Sequence, residues 1–250
     1  KIMTAVLAIE NGSMDETVVV SRRAAATPGS SMGLNEGDRY LLRDLLKGLL
    51  IRSGNDAAVA IAEHLAGSVE AFVAQMNTRA SQMGLRQPRF RNPHGLTAAN
   101  HYSSALDLAM LTRYAQRYPL FRETVCTLEE EVCGYNRYGQ SIRTLLRNTN
   151  RLLFSYEWAD GVKTGTTSAA GQCLVASAEK EGQRLIVVVL NSRDRWTDAR
   201  RLFEWGFDSF TEWQVAEAGR VYTHAALRGG IRPIVKLSVA EDMRLIIGTG

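Results

Sequence analysis

Hydrophobic positions follow a helical period through most of the first half of the chain and a strand period through much of the second. Ile2 to Glu10 is apolar almost throughout and runs into Asn11-Gly12, a C-terminal stop for a helix. Thr17 to Ser21 is rich in β-branched residues and predicts a strand. Pro28 to Gly33 is a loop of turn formers. From Tyr40 to Ile51, the leucines at 41, 42, 45, 46, 49 and 50 share one broad helical face. A second helix starts at Asp56, is dense in alanine and stops at Gly67; a third runs from Ser68 or Val69 to Met83, ended by Gly84. Asn92-Pro93-His94-Gly95 is a turn. Ser103 or Ser104 caps a helix that runs to about Arg117 and stops before Pro119.

Residues 121–160 are less regular, with short strand-like pieces and a loop rich in Asn and Arg. An antiparallel set follows: Gly161 to Thr166, Gln172 to Ala178 and Arg184 to Asn191, the last two joined by the tight turn at Lys180-Glu181-Gly182-Gln183. Asp198 to Phe210 reads as an amphipathic helix with Leu202, Phe203, Trp205 and Phe210 inward. From Gly219 the pattern changes to short alternating strands at 220–224, 235–239 and 244–247. We place a domain boundary near 213–220, giving a first domain over 1–212 and the start of a small β-rich one over 219–250. The expected class is α/β (α+β): an antiparallel sheet on residues 161–191 covered by helices on both faces, with a helical lobe from about 40 to 118. The active cleft is expected between the sheet edge at Lys163 and the lobe at Ser53.

Composition changes little in this picture. At 45% hydrophobic and 22% charged, the 250 residues suit an ordinary globular protein with a real core. The net charge of +4 is small and scattered, with no basic run of five or more, so nucleic acid is not an expected partner. No stretch approaches ~18 apolar residues, the length a membrane span needs. The chain opens at Lys1 straight into a helical pattern and closes on an apolar run entering a turn, so both ends are expected to continue in a longer protein. Cys126, Cys133 and Cys173 form no metal or disulfide framework; we expect small buried hydrophobes, with a Cys126–Cys133 pair as the alternative. His64, His94, His101 and His224 build no metal constellation, and His94 is expected to serve its turn structurally. Arg193 and Arg195 stand either on a cleft rim or in a solvated loop. Neither a cofactor nor a metal is expected.

Three landmarks remain: Lys1 at a helix start, Ser53-Gly54-Asn55 between two helices, and Lys163-Thr164-Gly165 on a strand. Each is weak alone, since Ser-Gly-Asn is an ordinary turn or cap and Lys-Thr-Gly occurs by chance. Their order, spacing and flanks agree with the Ser-x-x-Lys, Ser-x-Asn, Lys-Thr-Gly trio of penicillin-binding proteins and β-lactamases. Together with Arg52 to Ala57, Asn92-Pro93-His94-Gly95-Leu96 and Asp160 to Gly165 followed by Ala170-Gly171, the text over 1–212 resembles the low-molecular-mass D-alanyl-D-alanine carboxypeptidases.

The resemblance implies the β-lactamase/penicillin-binding transpeptidase-like fold and a serine peptidase that forms an acyl-enzyme on peptidoglycan stem pentapeptides and is inhibited by β-lactam antibiotics. It implies Lys1 as the base one helical turn from the serine, Ser53 as a proton relay, and Asn55 as a group that holds the substrate carbonyl or orients Lys1. Lys163, Thr164, Gly165 and Thr166 would bind substrate: an ammonium and a hydroxyl for its carboxylate, room along the strand, and the Thr166 N–H as oxyanion donor. Thr166 stands where relatives often have histidine, which bears on substrate preference. The serine belongs three residues before Lys1, and upstream strands belong before that, so the 250 residues by themselves are expected to be inactive. Ser30, Ser31, Ser168 and Ser177 lack a lysine three residues later on a helix. Rival readings are a D,D-endopeptidase, or a non-catalytic peptidoglycan-binding module. A class A β-lactamase would need a Glu-x-x-Leu-Asn segment, which is absent. The location implied is extracytoplasmic, in the periplasm or on the outer face of the cytoplasmic membrane, with peripheral membrane association of the parent protein.

Overall fold

A computed structural model describes residues 1–226, 228 and 234–248. Helix α1 (Ile2–Asn11) is the axle of the first half. Seven successive residues, Ile2 to Ala8, are buried, so it has no solvent face over two turns. Strand β1 (Thr17–Val19), the single helical turn α2 (Arg22–Ala25) and β2 (Arg39–Leu41) follow, then α3 (Leu42–Leu50), α4 (Asn55–Ala66), α5 (Val69–Gln82) and α6 (Ala105–Ala115). Helix α1 packs against α3, α4, α5 and α6. Alanines at 5, 8, 57, 58, 60 and 62 are fully or nearly fully buried and let the helices approach closely. Ser68 and Ser104 cap α5 and α6, their hydroxyls accepting from the amides of Ala71 and Asp107.

Helix α7 (Pro119–Cys126) leads into the hairpin β3 (Glu129–Tyr135) and β4 (Ser141–Arg147); β1, β2, β3 and β4 form one antiparallel sheet in that order. After the short α8 (Leu152–Ser155) come β5 (Ala159–Thr167), β6 (Gly171–Lys180) and β7 (Gln183–Ser192), an antiparallel three-stranded sheet. Alternation sorts its side chains. Leu174, Ala176, Ala178, Val187 and Val189 face Ala199 and Phe203 of α9 (Arg195–Ser209), while Val162, Val175, Ile186 and Val188 join the larger core beside α6 and α7. Helices thus cover both faces of the sheet, as expected.

Several expectations need correction. Tyr40 and Leu41 belong to β2, so the leucine-rich helix begins at Leu42. Pro119 does not simply follow a helix; it opens α7 at the first helical position, where its missing N–H is not needed. Helix α9 begins at Arg195, three residues early, because the Asp194 carboxylate accepts from the amides of Trp196 and Thr197. Its buried stripe is Ala199, Phe203 and Gly206; Leu202 and Trp205 face outward, and Phe210 is in the next strand. Gly206 sets that rotation, since a Cβ there would stand 2.7 Å from Leu185 Cδ1 of β7. The cysteines are free; Cys126 and Cys133 are exposed and Cys173 half-buried, so burial does not explain them.

Beyond α9, β8 (Phe210–Ala216) pairs with β11 (Met243–Gly248), and β9 (Val221–Ala226) with β10 (Ile234–Ser238), all antiparallel. Strand β8 crosses residue 212, where the expected first domain ends, and it starts directly from the last turn of α9.

Candidate active site

The site is assembled where α1, α4 and β5 begin or pass one another. Lys1 immediately precedes α1, and its Nζ donates to Asn55 Oδ1 at 2.7 Å and to the His94 carbonyl at 2.7 Å. Asn55 opens α4 and is 2% exposed, so both ends of its amide need partners. Its Nδ2 donates to the Pro28 carbonyl at 2.7 Å, and its backbone N–H to the Ser30 carbonyl at 2.7 Å. Gly29 lies between these two loop residues with φ +92°, and a Cβ there would stand 2.7 Å from Asn55 Nδ2. The buried Asp56 carboxylate accepts from Ser31 Oγ at 2.6 Å and from the amides of Met32, Gly33 and Leu34. Loop 28–34 is therefore clamped to the first turn of α4. The turn before Leu96 is closed by Asn92, whose Oδ1 accepts from Gly95 N at 2.7 Å while its Nδ2 donates to Leu96 O. Thr4 of α1 donates to the Pro93 carbonyl at 2.6 Å, which fixes this turn against Lys1's own helix.

Ser53 has φ 66°, the left-handed region that a serine adopts only at a cost of roughly 1–3 kcal/mol. It is 8% exposed, and its hydroxyl makes no hydrogen bond to any described residue. Lys163 to Thr166 lie on β5, which pairs only with β6 among the described strands. Thr149 brings that strand to the Ser53 turn. Its N–H donates to the Ile51 carbonyl at 3.2 Å, its hydroxyl shares a 2.8 Å hydrogen bond with Thr164, and Lys163 Nζ donates to it at 3.5 Å. Arg195 Nη1 reaches across from α9 to the Gly165 carbonyl and Thr166 Oγ1, both at 2.9 Å, and to the Cys173 carbonyl at 3.1 Å. Its Nε is buried without a partner among the described residues. A Cβ on Gly165 would meet nothing within 4 Å, so the space beside the strand is open.

The electrostatics follow from burial. Lys163 is 7% exposed, no carboxylate pairs with it among the described residues, and its pKa falls to about 7 through burial, with Lys1 and Arg195 pushing the same way. Lys1 falls to about 8 through burial, partly opposed by Asp56. His94 falls to about 4, again chiefly through burial with Lys1 adding, so its ring is neutral at pH 7. The neutral ring's Nδ1 accepts from Leu96 N at 3.2 Å, the structural turn role expected of it.

The structure thus places Lys1 and Asn55 in direct contact and groups Lys163, Thr164 and Thr166 around Thr149 and Arg195; Ser53 lies in the turn between Ile51, which accepts from Thr149, and Asn55. Thr149 went unread in the sequence. It sits in Asn148-Thr149-Asn150, whose amides are tied down by the Thr127 carbonyl at 2.8 Å and the Gly161 carbonyl at 2.7 Å. Composition flagged only an Asn-rich loop there. Of the two arginines weighed for the rim, Arg195 contacts the motif strand, whereas Arg193 is exposed and no side-chain contact ties it to that strand. Asp56 follows the Ser-Gly-Asn triplet directly, but nothing in the sequence shows which amides it serves.

Comparison with known proteins gives the family and the fold. A family model described as D-alanyl-D-alanine carboxypeptidase matches residues 1–194. The chain is 34% identical over 258 residues to the D-alanyl-D-alanine carboxypeptidase DacF of Bacillus subtilis, covering 100% of this chain and 65% of that protein. It is 40% identical over 207 residues to the D-alanyl-D-alanine carboxypeptidase DacC of Escherichia coli, covering 79% of this chain and 50% of that protein. Among solved structures, penicillin binding protein 5 from Haemophilus influenzae superposes with a TM-score of 0.85 at 32% identity, covering 100% of this chain and 74% of that one. A mutant of the Streptomyces K15 DD-transpeptidase superposes at 0.78 with 34% identity, covering 82% and 85%. The chain spans roughly two thirds or less of the length of these two curated relatives.

Proposed function

The chain belongs to the D-alanyl-D-alanine carboxypeptidase family, and from that premise we propose that its protein cleaves the terminal D-alanine from D-Ala-D-Ala stem peptides of peptidoglycan through a serine acyl-enzyme. β-Lactam antibiotics acylate the same serine. One observation carries the reading: the amine of Lys163 is buried with no carboxylate partner among the described residues, beside the Thr164 hydroxyl and Arg195 on an open strand edge. Buried charges are ordinarily paired. A substrate carboxylate supplies the missing anion.

The remaining roles follow from position. The nucleophile is the serine that the Ser-x-x-Lys pattern places three residues before Lys1. Lys1 takes its proton, since a lysine near pKa 8 is neutral in about a tenth of molecules at pH 7, far more than an ordinary one. Asn55 and the His94 carbonyl hold the Lys1 amine in place. The serine oxygen bonds to the carbonyl carbon, the C–N bond breaks, and Ser53, whose hydroxyl has no partner among the described residues, passes a proton to the departing amine of D-alanine. Water then hydrolyses the ester. The Thr166 N–H and the N–H of the nucleophile face the developing oxyanion. Gly165 leaves the strand edge free for an extended substrate. Such a substrate places the protein outside the cytoplasmic membrane, and we assign it there, with peripheral attachment to that membrane through parts outside this chain.

The test uses the full-length protein with a labelled penicillin and a D-Ala-D-Ala peptide. A one-to-one covalent adduct and released D-alanine are the expected result. Binding of the peptide without either would leave a peptidoglycan-binding module instead. Release only on addition of an acceptor amine would assign a transpeptidase.

A further inference from the structure

Thr149 stands where the carboxylate clamp meets the Ser53 turn, on a backbone fixed from both sides. Its neighbours Asn148 and Asn150 are buried, and their side-chain amides donate to the Thr127 carbonyl at 2.8 Å and the Gly161 carbonyl at 2.7 Å. Asn148 Oδ1 also accepts from Asn150 N at 2.9 Å, which closes the backbone around Thr149. The Thr149 N–H is committed to the Ile51 carbonyl. The hydroxyl is thereby held 2.8 Å from Thr164 Oγ1 and 3.5 Å from Lys163 Nζ.

The direction of these hydrogen bonds follows from what each group can do. A hydroxyl has one hydrogen and two lone pairs, whereas a lysine ammonium has three donors and no acceptor. Once an anionic peptide end is bound, Lys163 is an ammonium and donates to Thr149 Oγ1. The hydrogen of Thr149 then has one acceptor among the described residues, Thr164 Oγ1. Were Thr164 to donate instead, the half-buried Thr149 hydrogen would be left without a partner among the described residues, at a cost of about 1 kcal/mol. Thr164 therefore accepts from Thr149, and its own hydrogen is free for a ligand. Arg195, a side chain of donors only, is tied to the same strand through the Gly165 carbonyl and Thr166 Oγ1. Lys163, Thr164 and Arg195 thus all present hydrogens to whatever binds there.

Resting on the function proposed above, we infer that Thr149 is a positioning residue that sets the selectivity of the clamp: it makes the Thr164 hydroxyl a fixed donor, so that a peptide carboxylate is favoured over a neutral C-terminal carboxamide. A carboxylate only accepts, and it meets a hydrogen from Thr164. The NH₂ of a carboxamide only donates, and it meets that same hydrogen head-on. With the amide turned so that its oxygen faces Thr164, the NH₂ faces the donors of Lys163 or Arg195 instead. The peptide lies along the β5 edge in either case, and Thr149 acts only on how its end is read.

The experiment measures kcat/KM of the full-length protein for N-acetyl-Lys-D-Ala-D-Ala and for the same peptide ending in a carboxamide, by release of D-alanine or D-alaninamide. Thr149→Val keeps the shape and the N–H bond to the Ile51 carbonyl but has no hydroxyl. The Thr164 hydroxyl can then rotate and accept from the amide, so the acid-to-amide ratio should fall about threefold to tenfold, the worth of a neutral hydrogen bond. Thr149→Ser restores the hydroxyl and should restore the ratio. Thr149→Ala is the hydroxyl-free variant if the valine protein does not fold. A ratio that stays at the wild-type value without the hydroxyl, even where both rates fall together, overturns the positioning role and leaves the peptidase reading standing. A serine variant that behaves like valine does the same. Release of D-alanine from the acid by none of the proteins, wild type included, overturns both.

Discussion

Replacing Lys163 with methionine should stabilise the protein at low pH, and the gain should fade as pH rises. Methionine keeps the length of the side chain and removes the ammonium. In the folded protein Lys163 has a pKa of about 7 against the ordinary 10.5, because burial and two neighbouring cations disfavour its charge. Below about pH 7, folded and unfolded chains both hold the proton, so the fold bears the whole penalty of the buried charge. Between about 7 and 10.5 only the unfolded chain holds it, so wild-type stability rises with pH. Above 10.5 the two states no longer differ. At about 1.4 kcal/mol per pH unit, that window amounts to roughly 4–5 kcal/mol. Lys163→Met should therefore be more stable than wild type by several kcal/mol at pH 6 and nearly equal to it at pH 10. Urea unfolding of both proteins at a series of pH values reads this directly. A variant less stable than wild type at pH 6, or a gap that does not change with pH, would mean that the ammonium is already compensated in the fold. The inference that it awaits a substrate carboxylate would then fail, whatever the family resemblance says.

Three further outcomes follow from the same geometry. Asn55→Ala removes the 2.7 Å acceptor of Lys1 and the donor to the Pro28 carbonyl, so thermal unfolding should report a loss of about 1–3 kcal/mol, and penicillin acylation should fall at least ~10²-fold; full acylation would remove Asn55 from the machinery. At saturating penicillin, where the bound carboxylate keeps Lys163 protonated, the acylation rate should climb from pH 6 toward 8 as Lys1 loses its proton, and a flat profile in stopped-flow measurements at saturation over that range would exclude Lys1 as the base. Asp56→Asn sets an NH₂ group among the three loop amides and Ser31 that now donate to a carboxylate; a loss of ~3 kcal/mol by urea titration is expected, and a neutral outcome would show that loop 28–34 is not held from α4.

What the sequence disclosed and what it withheld divide along a physical line. Helices with a clear apolar stripe were legible, as with Leu45, Leu46 and Leu49 of α3, because burial acts on side chains and leaves a period. The sheet was legible for the same reason, since Leu174 and Ala176 alternate with Val175 between two cores. The stripe of α9 was not, because a glycine governs it: Gly206 admits Leu185, and this turns Leu202 and Trp205 outward against their own hydrophobicity. Helix α7 was hidden by reading Pro119 as a terminator when it is an initiator. The exposed cysteines follow no pattern that composition could show.

The site divides in the same way. Lys1, Ser53, Asn55 and Lys163 stood out because their residue types and order make a family text. The groups that hold them in place did not, and most of these are backbone atoms. The carbonyls of His94, Pro28 and Ile51 accept from Lys1, Asn55 and Thr149, and a carbonyl leaves no mark on residue identity. Thr149 joins both halves, its hydroxyl on Thr164 and Lys163 of the sheet and its backbone N–H on the Ile51 carbonyl of the turn before Ser53. Burial makes both lysines resist protonation, only partly opposed at Lys1 by Asp56, and the fold takes up their donors on neutral acceptors: the Asn55 amide and His94 carbonyl for Lys1, the Thr149 hydroxyl for Lys163. Supplying a counter-charge would cancel the depressed pKa that lets Lys1 act as a base and would occupy Lys163 before the substrate arrives. On the function proposed here, the absence of a carboxylate around Lys163 among the described residues is the condition under which one pocket can both deprotonate a serine and recognise an anionic peptide end.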